Sequence, residues 1–325
     1  LRVKFEGKGQ NSQGIGTRIE GVYADGTYFY YENSPYRGYL SSVESVAHIG
    51  LGAKQKIKEL RVIWPNDSMQ VISKPGIDQI LTVKISDAKK PYVSLYQEQK
   101  PLLQDVTDQM QLTDVHREMD FIDFNFQSLI PFKMSQLGPG ASVGDVNGDG
   151  LEDVYLSGAK YQAGQLFLQK GTGFVPSKQT AFFVDSLYED VDALFFDADG
   201  DNDQDLYVVT GGNEFYDQMP EQFDRLYLND GKGNFTRDMQ ALPPMYDNKS
   251  VVRPCDFDRD GDMDLFVGGR VVAYSYGKSP RSYLLVNNGK GKFKDVTVAQ
   301  APDLREAGMI SEAIWSDIDS DGDQD

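Results

Sequence analysis

The chain has 325 residues, of which 40% are hydrophobic and 12% aromatic, a composition typical of packed globular domains. Acidic residues number 50 against 32 basic ones, and the resulting net charge of −18 disfavours a nucleic-acid partner. The single cysteine, Cys255, excludes an intramolecular disulfide and a multi-thiolate metal site and is predicted to be a core thiol. The sequence also contains no apolar run long enough for a transmembrane helix.

The first 90 residues read as short β-strands separated by turns rich in Gly, Asn and Asp. Seven strands are predicted, at residues 3–5, 15–22, 27–31, 46–49, 60–64, 69–72 and 80–83. This pattern favours a small β-sandwich or barrel. An aromatic run, Tyr28 to Tyr31, lies in one strand, where alternate side chains are expected to face the core and the surface.

Four motifs in this region follow one another in a recognisable order. They are Gly14-Ile15-Gly16-Thr17-Arg18-Ile19, Gly38-Tyr39-Leu40-Ser41-Ser42, His48-Ile49-Gly50-Leu51-Gly52 and Trp64-Pro65-Asn66. In order and spacing they resemble the ASPIC/UnbV domain, a domain that accompanies FG-GAP/VCBS-type propeller repeats. His48 lies inside one of these motifs, so a structural role is expected for it. Residues 91–102, with Pro91, Pro101 and several Lys and Gln, are predicted to form a linker.

The rest of the chain is spaced around an Asp-rich nine-residue loop that occurs four times, starting at Asp145, Asp197, Asp256 and Asp317. Each copy follows the pattern D-x-[DN]-x-D-[GN]-x-x-D. Side-chain oxygens at positions 1, 3, 5 and 9, with the backbone carbonyl of position 7, supply the six to eight hard ligands that Ca²⁺ prefers. Up to four structural Ca²⁺ ions are therefore predicted. The predicted ligands are Asp145, Asn147, Asp149, Leu151, Asp153, Asp197, Asp199, Asp201, Asp203, Asp205, Asp256, Asp258, Asp260, Asp262, Asp264, Asp317, Asp319, Asp321, Asp323 and Asp325.

Two positions of the loop have distinct expectations. Position 6 must turn the chain sharply, which Gly does without steric cost and Asn202 tolerates. Position 7 is either Leu or Asp, so it is expected to coordinate through its carbonyl and to turn its side chain outward. Strand-forming residues follow the loop, such as Val-Tyr-Leu after Asp153, which excludes an EF-hand with its flanking helices.

The period of the loops predicts the architecture of the second domain. The starts at 145, 197, 256 and 317 lie 52, 59 and 61 residues apart, as expected for four-stranded propeller blades. Between the loops, Leu226–Phe235 is similar to Leu284–Phe293, and the turns Asp230-Gly231 and Asn288-Gly289 are predicted to be hairpins with positive φ at both central residues. The set resembles FG-GAP/VCBS repeats. A repeat is expected to begin near residue 103, because Leu103–Thr107 echoes Phe293–Thr297.

The predicted fold class is therefore all-β: a small β-sandwich or barrel followed by blades of a partial β-propeller with Asp-rich calcium loops. The predicted domains are residues 1–90, a linker at 91–102, and blades at 103–325, about four in number and incomplete at the C-terminus. Because the sequence lacks an initiator Met and stops at the ninth position of a loop, we expect both ends to be cut. Residues 108–139 fit no repeat element and are predicted to be an insertion that packs on the propeller or between the domains.

Two long irregular loops, at 213–224 and 270–280, are the candidate binding region. They and their flank carry residue types that are enriched at interfaces, namely Phe215, Tyr216, Tyr274, Tyr276, Lys278 and Arg281. His116 lies in a polar run and is expected at the surface. With two histidines and one cysteine, the chain offers little for nucleophilic catalysis, so no enzymatic activity and no catalytic residue are predicted.

The predicted function is an extracellular or cell-surface calcium-binding propeller module that binds a protein or glycan or takes part in assembly. Placement outside the cell rests on the family resemblance and on Ca²⁺ availability, since weak sites fill at millimolar Ca²⁺. Two alternatives stay open. One is an accessory surface lipoprotein subunit of an outer-membrane nutrient-uptake complex, lipid-anchored through another segment, and the other is the non-catalytic part of a carbohydrate-active enzyme.

Overall fold

A computed structural model describes residues 1–52, 56–94, 101–216 and 219–325. It divides into two compact units, residues 1–103 and 104–325. Five β-sheets account for most of the regular structure of these residues, and the few helices are short. The prediction of an all-β fold class is confirmed.

The first unit contains two sheets. Its strands are β1 (Arg2–Glu6), β2 (Arg18–Tyr23), β3 (Tyr28–Glu32), β4 (Val46–His48), β5 (Ile57–Ile63), β6 (Ser68–Ser73), β7 (Ile80–Lys84) and β8 (Lys90–Pro91), and a 3-10 turn covers Ile85–Asp87. The strand orders are β4-β1-β7 and β3-β2-β5-β6-β8. Among the described residues of this unit, the β1–β7 pair alone is parallel. All seven predicted strands are present, and β8 is an addition.

The core of the first unit lies between these two sheets. Val3 and Phe5 of β1 belong to one buried cluster with Leu60 and Val62 of β5. The unit is therefore a sandwich of two open sheets. Alternate residues of the aromatic strand β3 divide as expected, because Phe29 and Tyr31 pack against this cluster while Tyr28 and Tyr30 are exposed.

The second unit contains three sheets. Its strands are β9 (Ala141–Gly144), β10 (Asp153–Leu156), β11 (Gln165–Lys170), β12 (Gly173–Ser177), β13 (Asp190–Phe196), β14 (Asp205–Thr210), β15 (Arg225–Leu228), β16 (Thr236–Arg237), β17 (Asn248–Cys255), β18 (Asp264–Val271), β19 (Tyr283–Val286) and β20 (Lys294–Asp295). Short helices cover α1 (Thr107–Met110), α2 (Thr180–Val184) and α3 (Thr297–Gln300), and 3-10 turns cover Asp123–Asn125, Pro220–Gln222 and Pro302–Glu306.

Each of these sheets is a meander of four consecutive antiparallel strands, the form of a propeller blade. We call β9–β12, β13–β16 and β17–β20 the first, second and third blades. The cores lie between blades: alternate residues of β14 face opposite neighbours, so Leu206 packs with the first blade and Tyr207 with the third. All six residues of β14 are buried, which explains its continuous apolar run. Cys255 at the end of β17 is free and buried.

The meander fixes which loops share an end of the second unit. The nine-residue loops join the first and second strands of each blade, and the hairpins between the third and fourth strands return to the same end. We call this the Asp-loop end. Connections between the second and third strands lie at the opposite end, which we call the aromatic end.

The similarity of Leu103–Thr107 to Phe293–Thr297 has a structural counterpart. The Thr107 amide donates to Asp105 Oδ1 at 3.0 Å, and the Thr297 amide donates to Asp295 Oδ1 at 3.0 Å. A one-turn helix, α1 or α3, follows in each case. The same Asp-Val-Thr turn therefore precedes the first blade and follows the third.

Candidate metal centre

The first residue of each Asp-rich loop organises the backbone of the turn. In the first loop Asp145 Oδ1 accepts from the Asp149 amide at 3.2 Å, and its Oδ2 accepts from the Gly150 amide at 2.8 Å. Asp256 and Asp317 make the same pair of bonds in the third and fourth loops. The carboxylate thereby folds positions 1 to 6 around itself, with its oxygens turned to the inside of the loop.

Two positions of every loop have a left-handed backbone. At position 6, the φ values are 83° for Gly150, 71° for Asn202, 100° for Gly261 and 95° for Gly322. These agree with the turn expected there. At position 4, the φ values are 70° for Gly148, 80° for Gly200, 63° for Arg259 and 64° for Ser320. The sequence did not reveal this second constraint, because Arg and Ser occupy two of the four sites.

Three of the loops bring three carboxylates together with one oxygen of each within 4.8 Å of the others. The groups are Asp197, Asp199 and Asp205; Asp256, Asp258 and Asp260; and Asp317, Asp319 and Asp325. The first loop has Asn147 in place of a carboxylate at position 3. Clustered oxygen ligands of this kind fit a hard cation, so these residues can hold a metal ion.

Position 9 differs from the other proposed ligands because it is buried in all three blades. Asp153, Asp205 and Asp264 are at most 1% exposed. Asp205 Oδ2 accepts from the Ala198 amide at 3.0 Å, and its Oδ1 accepts from the Asn229 amide at 2.8 Å. This residue therefore joins the loop to the third strand of its blade. Asp325 at the fourth loop is exposed, although it still accepts from the Ile318 amide at 2.9 Å.

Position 7 does not behave as expected in the second and third loops. The Oδ1 atoms of Asp203 and Asp262 are buried, and the opposite Oδ2 atoms lie against hairpin glycines. A Cβ atom added to Gly231 would lie 3.3 Å from Asp203 Oδ2, and one added to Gly289 would lie 3.0 Å from Asp262 Oδ2. The expectation of outward side chains is wrong for these two residues, because the hairpin of the same blade covers them.

Burial and neighbouring negative charges raise the pKa of carboxylates in these loops. Burial raises the pKa of Asp205 to about 7, although the amides of Asn229 and Ala198 favour its charged form. Burial, followed by the charges of Asp201 and Asp199, raises the pKa of Asp203 to about 6. A divalent cation among these oxygens would favour the ionised forms. The arrangement therefore fits a bound cation.

The hairpins at the Asp-loop end differ from the predicted two-residue turns. In the second blade the connection between β15 and β16 runs from 229 to 235, and positive φ occurs at Gly231 (68°) and Gly233 (78°). Asp230 instead accepts from the amides of Lys232 and Asn234, at 3.0 and 3.2 Å. The turn is thus built by two glycines and an Asp side chain, and the prediction of positive φ at Asp230 is wrong.

The aromatic end carries a row of touching rings. Phe121 stacks on Phe126 with centroids 5.3 Å apart, Phe126 meets Tyr274 at 5.3 Å, and Tyr274 meets Tyr216 at 5.2 Å. Phe126 is 54% exposed and Tyr216 is 66% exposed. We call these four residues the aromatic row. It shows that the segment 108–139 packs on the propeller loops.

A buried polar bond holds this segment to the loop that follows β14, and a second one fixes it internally. Asp123, which is fully buried, accepts from the Asn213 side chain at 3.1 Å and from the Ser135 hydroxyl at 2.5 Å. Asn213 in turn accepts from the Tyr274 amide at 3.2 Å. Hydrogen bonds among Asp123, Asn213 and the Tyr274 backbone therefore fix the position of the aromatic row. The loop sequences alone did not indicate these bonds.

The candidate interface residues divide between surface and interior. Tyr216 and Lys278 are exposed and Tyr276 is 37% exposed, whereas Phe215 is only 5% exposed and lies under the Lys160 ammonium at 4.1 Å. Arg281 forms an ion pair with Asp295. Phe215 is thus a core residue, which corrects its prediction as an interface residue, whereas the Arg281 side chain is 29% exposed and its interface role stays a prediction.

Two buried glutamates lie beside the aromatic row. A Cβ atom added to Gly212 would lie 2.4 Å from Glu214 Oε2 and 2.6 Å from Glu189 Cγ, so only glycine fits between them. Glu189 Oε2 accepts from the Lys160 amide at 2.8 Å. Burial, with the Glu214 charge as the next cause, raises the pKa of Glu189 to about 9. Burial raises the pKa of Glu214 to about 7.

A polar cavity of about 550 Å³ opens at the same end, beside Lys160. Its walls carry hydrogen-bonding groups from the segment and from the first blade, among them Asp114, Arg117, Glu118, Lys160, Tyr161 and Gln162. His116 bonds Glu118 Oε1 at 2.7 Å and is half-buried, which corrects its expected surface position. In the first unit, His48 is exposed in β4 and pairs with Arg2 of β1.

The geometry defines a β-sandwich unit and a unit of blade-type sheets whose Asp-rich loops carry clustered carboxylates that could hold a metal ion. Family comparison agrees: residues 7–90 match the ASPIC and UnbV family, and residues 145–208 and 197–267 match FG-GAP-like repeats. The chain thus combines an ASPIC/UnbV domain with FG-GAP-like repeats, as its motifs predict. Such domains are typical of extracellular or surface proteins. Within the described residues, no helix has the length and apolarity to cross a membrane.

Other comparisons add little to this assignment. No curated protein matches the chain. Among solved structures, an Agrocybe aegerita lectin that specifically recognises non-reducing terminal N-acetylglucosamine aligns with a TM-score of 0.32 and 20% identity. The alignment covers 49% of this chain and 38% of the lectin chain.

Proposed function

We propose that the chain is a non-catalytic, extracellular or cell-surface module in which calcium-loaded blades present a glycan-binding surface. The observation that carries the calcium part is the oxygen cluster within the loops, with three carboxylates inside 4.8 Å in the loops at Asp197, Asp256 and Asp317. All of the predicted side-chain ligands are oxygen donors, and Ca²⁺ prefers such hard ligands. Millimolar extracellular Ca²⁺ fills even weak sites of this kind.

The ligand part rests on the aromatic row and the adjacent polar cavity. Exposed ring faces such as those of Phe126 and Tyr216 can pack against the C–H face of a sugar ring, while the cavity supplies charged and amide groups for its hydroxyls. Two exposed rings, Phe126 and Tyr216, that are held by the half-buried Tyr274 between them are also an unusual feature for a surface without a partner. Because the cavity is strongly polar, we favour a glycan over an apolar peptide.

Binding to a glycan array and to a panel of extracellular proteins tests this proposal. We compare the wild type with Phe126→Ser and Tyr216→Ser, which remove exposed rings of the aromatic row. Phe183→Ser is the matched control, because Phe183 is 74% exposed in α2 and is not one of the four residues of the aromatic row. We expect glycan binding to fall at least tenfold in the first two variants and to stay unchanged in the control.

Three outcomes would contradict parts of the proposal. Equal loss in Phe183→Ser would show a general effect on folding. Binding only to proteins, lost in the same two variants, would keep the surface but exclude the glycan. Binding to neither class would remove the ligand function and leave the calcium loops as purely structural elements.

A further inference from the structure

Asn229, the residue after β15, bonds two different Asp-rich loops. Its Nδ2 donates to the Val146 carbonyl at 2.7 Å and to the Gln204 carbonyl at 3.1 Å. Val146 is position 2 of the first loop, and Gln204 is position 8 of the second. One side-chain amide therefore bridges neighbouring loops across the junction of two blades.

Asn287 repeats this arrangement at the next junction. Its Nδ2 donates to the Ala198 carbonyl at 2.8 Å, which is position 2 of the second loop, and to the Met263 carbonyl at 3.2 Å, which is position 8 of the third. Asn287 is only 3% exposed. The same geometry at two junctions indicates a repeated device.

Each asparagine also bonds a proposed calcium ligand through its backbone. The backbone N–H of Asn229 donates to Asp205 Oδ1 at 2.8 Å, and the backbone N–H of Asn287 donates to Asp264 Oδ1 at 2.8 Å. The other oxygen of Asp205, Oδ2, accepts from the backbone N–H of Ala198 at 3.0 Å. Asp205 is therefore linked to Asp264 through Ala198 and Asn287, by hydrogen bonds that alternate with the covalent bonds of these two residues.

The same kind of linkage occurs at the junction of the first and second blades. Asp153 Oδ2 accepts from the Val146 amide at 3.1 Å, and the Val146 carbonyl accepts from Asn229. The position-9 carboxylates of all three blades are thus linked through two asparagines. In the first blade Gln169 takes the corresponding place and donates its amide to Asp153 Oδ1 at 2.8 Å.

We infer that Asn229 and Asn287 are positioning residues that couple calcium binding at neighbouring loops. The inference rests on the proposed calcium function. An ion that fixes one loop also fixes the position-2 carbonyl or the position-9 carboxylate to which the asparagine is bonded. The neighbouring loop is then partly ordered before its own ion arrives, so this loop loses less conformational entropy when the second ion binds.

A titration of two loops at a time measures this coupling. Asp260→Ala and Asp321→Ala disable the third and fourth loops in the full chain, and calcium alone is the titrant in calorimetry. We expect two ions to bind this protein, with affinity at the second loop about 5- to 50-fold lower when Asp149→Ala disables the first loop as well. With Asn229→Asp added, we expect that dependence to fall below twofold.

Asn229→Asp is chosen because it keeps the size and the backbone bonds of the residue but replaces the Nδ2 donor by oxygen. Asn234→Ala is the matched control, since Asn234 lies in the same hairpin and, within the part of the chain that the structure describes, its side chain bonds only Asp230, at 2.9 Å. Asn287→Asp is a second control that should leave the first junction coupled. Circular dichroism melts verify that each variant is folded, and Asn229→Ser replaces Asn229→Asp if that variant is not.

The outcomes separate this inference from the proposal beneath it. Absence of calcium binding in the two-loop protein would overturn the calcium function itself. Two ions that bind independently, or coupling that survives Asn229→Asp, would overturn the coupling while leaving the calcium sites intact. Coupling lost equally in Asn234→Ala would show that the whole hairpin, and not the asparagine, carries it.

Discussion

Asp205 offers the sharpest separation between the folding role and the metal role of a loop residue. It is 1% exposed, and both carboxylate oxygens accept backbone amides, from Ala198 and Asn229. Both bonds join atoms of the protein to one another. We therefore expect Asp205→Ala to destabilise the protein even in EDTA. Asp201, at position 5, is exposed and accepts a single bond, from the Asp203 amide at 3.0 Å.

The magnitudes follow from the bonds that each substitution removes. Asp205→Ala leaves the buried Ala198 amide and the half-buried Asn229 amide without this acceptor, at about 1–3 kcal/mol each, so the loss is about 2–6 kcal/mol. A typical domain has a total stability of about 5–15 kcal/mol, so this is a large share. Asp201→Ala removes only an exposed turn bond, and a loss within about 1 kcal/mol is expected in EDTA. In calcium, both variants lose a proposed ligand, and the free energy of unfolding of both should be lower than that of the wild type.

Urea unfolding followed by circular dichroism, in EDTA and in millimolar calcium, measures the four differences. Asp205→Asn is the matched variant because it keeps the shape and one acceptor oxygen, so its loss in EDTA should lie between those of the wild type and Asp205→Ala. Equal losses for Asp205→Ala and Asp201→Ala in EDTA would refute the reasoning. Position 9 would then act only through the ion.

Two further predictions concern the ions and a buried acid. Each ion, at a free concentration about a hundredfold above its dissociation constant, stabilises the fold by about 2.7 kcal/mol. EDTA should therefore lower the melting temperature sharply. A melting curve that does not move in EDTA would contradict structural calcium. The raised pKa of Glu189, about 9 against 4.5 in an unfolded chain, means that stability falls as pH rises between these values. At pH 7 the penalty is roughly 3 kcal/mol, so Glu189→Gln should raise the melting temperature at pH 7 and flatten its pH dependence, and an unchanged pH profile would oppose this account.

The loops were the most predictable part of the site because their constraints are local. Position 6 needs positive φ, and Gly or Asn supplies it in every copy, as Asn202 does at 71°. The period of the loops likewise predicts four-stranded blades. Position 4 escaped prediction because its strain is imposed by the bonds of the whole loop, and Arg259 accepts a φ of 63° without any sign in the sequence.

Contacts between blades were beyond the reach of the sequence. Asn229 and Asn287 occupy equivalent places in similar repeats, yet nothing local shows that their side chains reach a neighbouring loop. The same holds for Phe215 and Tyr216, adjacent aromatics of which one is 5% exposed and the other 66%. The pattern of residue types cannot tell which of two neighbours faces inward, because that depends on how the loop leaves the strand.

Strand β14 connects the Asp-loop end of the second unit to its aromatic end. This strand begins at Asp205 in an Asp-rich loop and ends at Thr210, whose amide donates to Asp224 Oδ1 at 2.8 Å in the connection at the aromatic end. Six residues at about 3.4 Å each separate the ends by roughly 17–20 Å, about twice the screening length of roughly 8 Å in physiological salt. An ion cannot act on a bound ligand over that distance by its charge. If chelation abolishes glycan binding, it must do so by loosening the blades, so binding and the folded fraction should fall together as calcium is withdrawn.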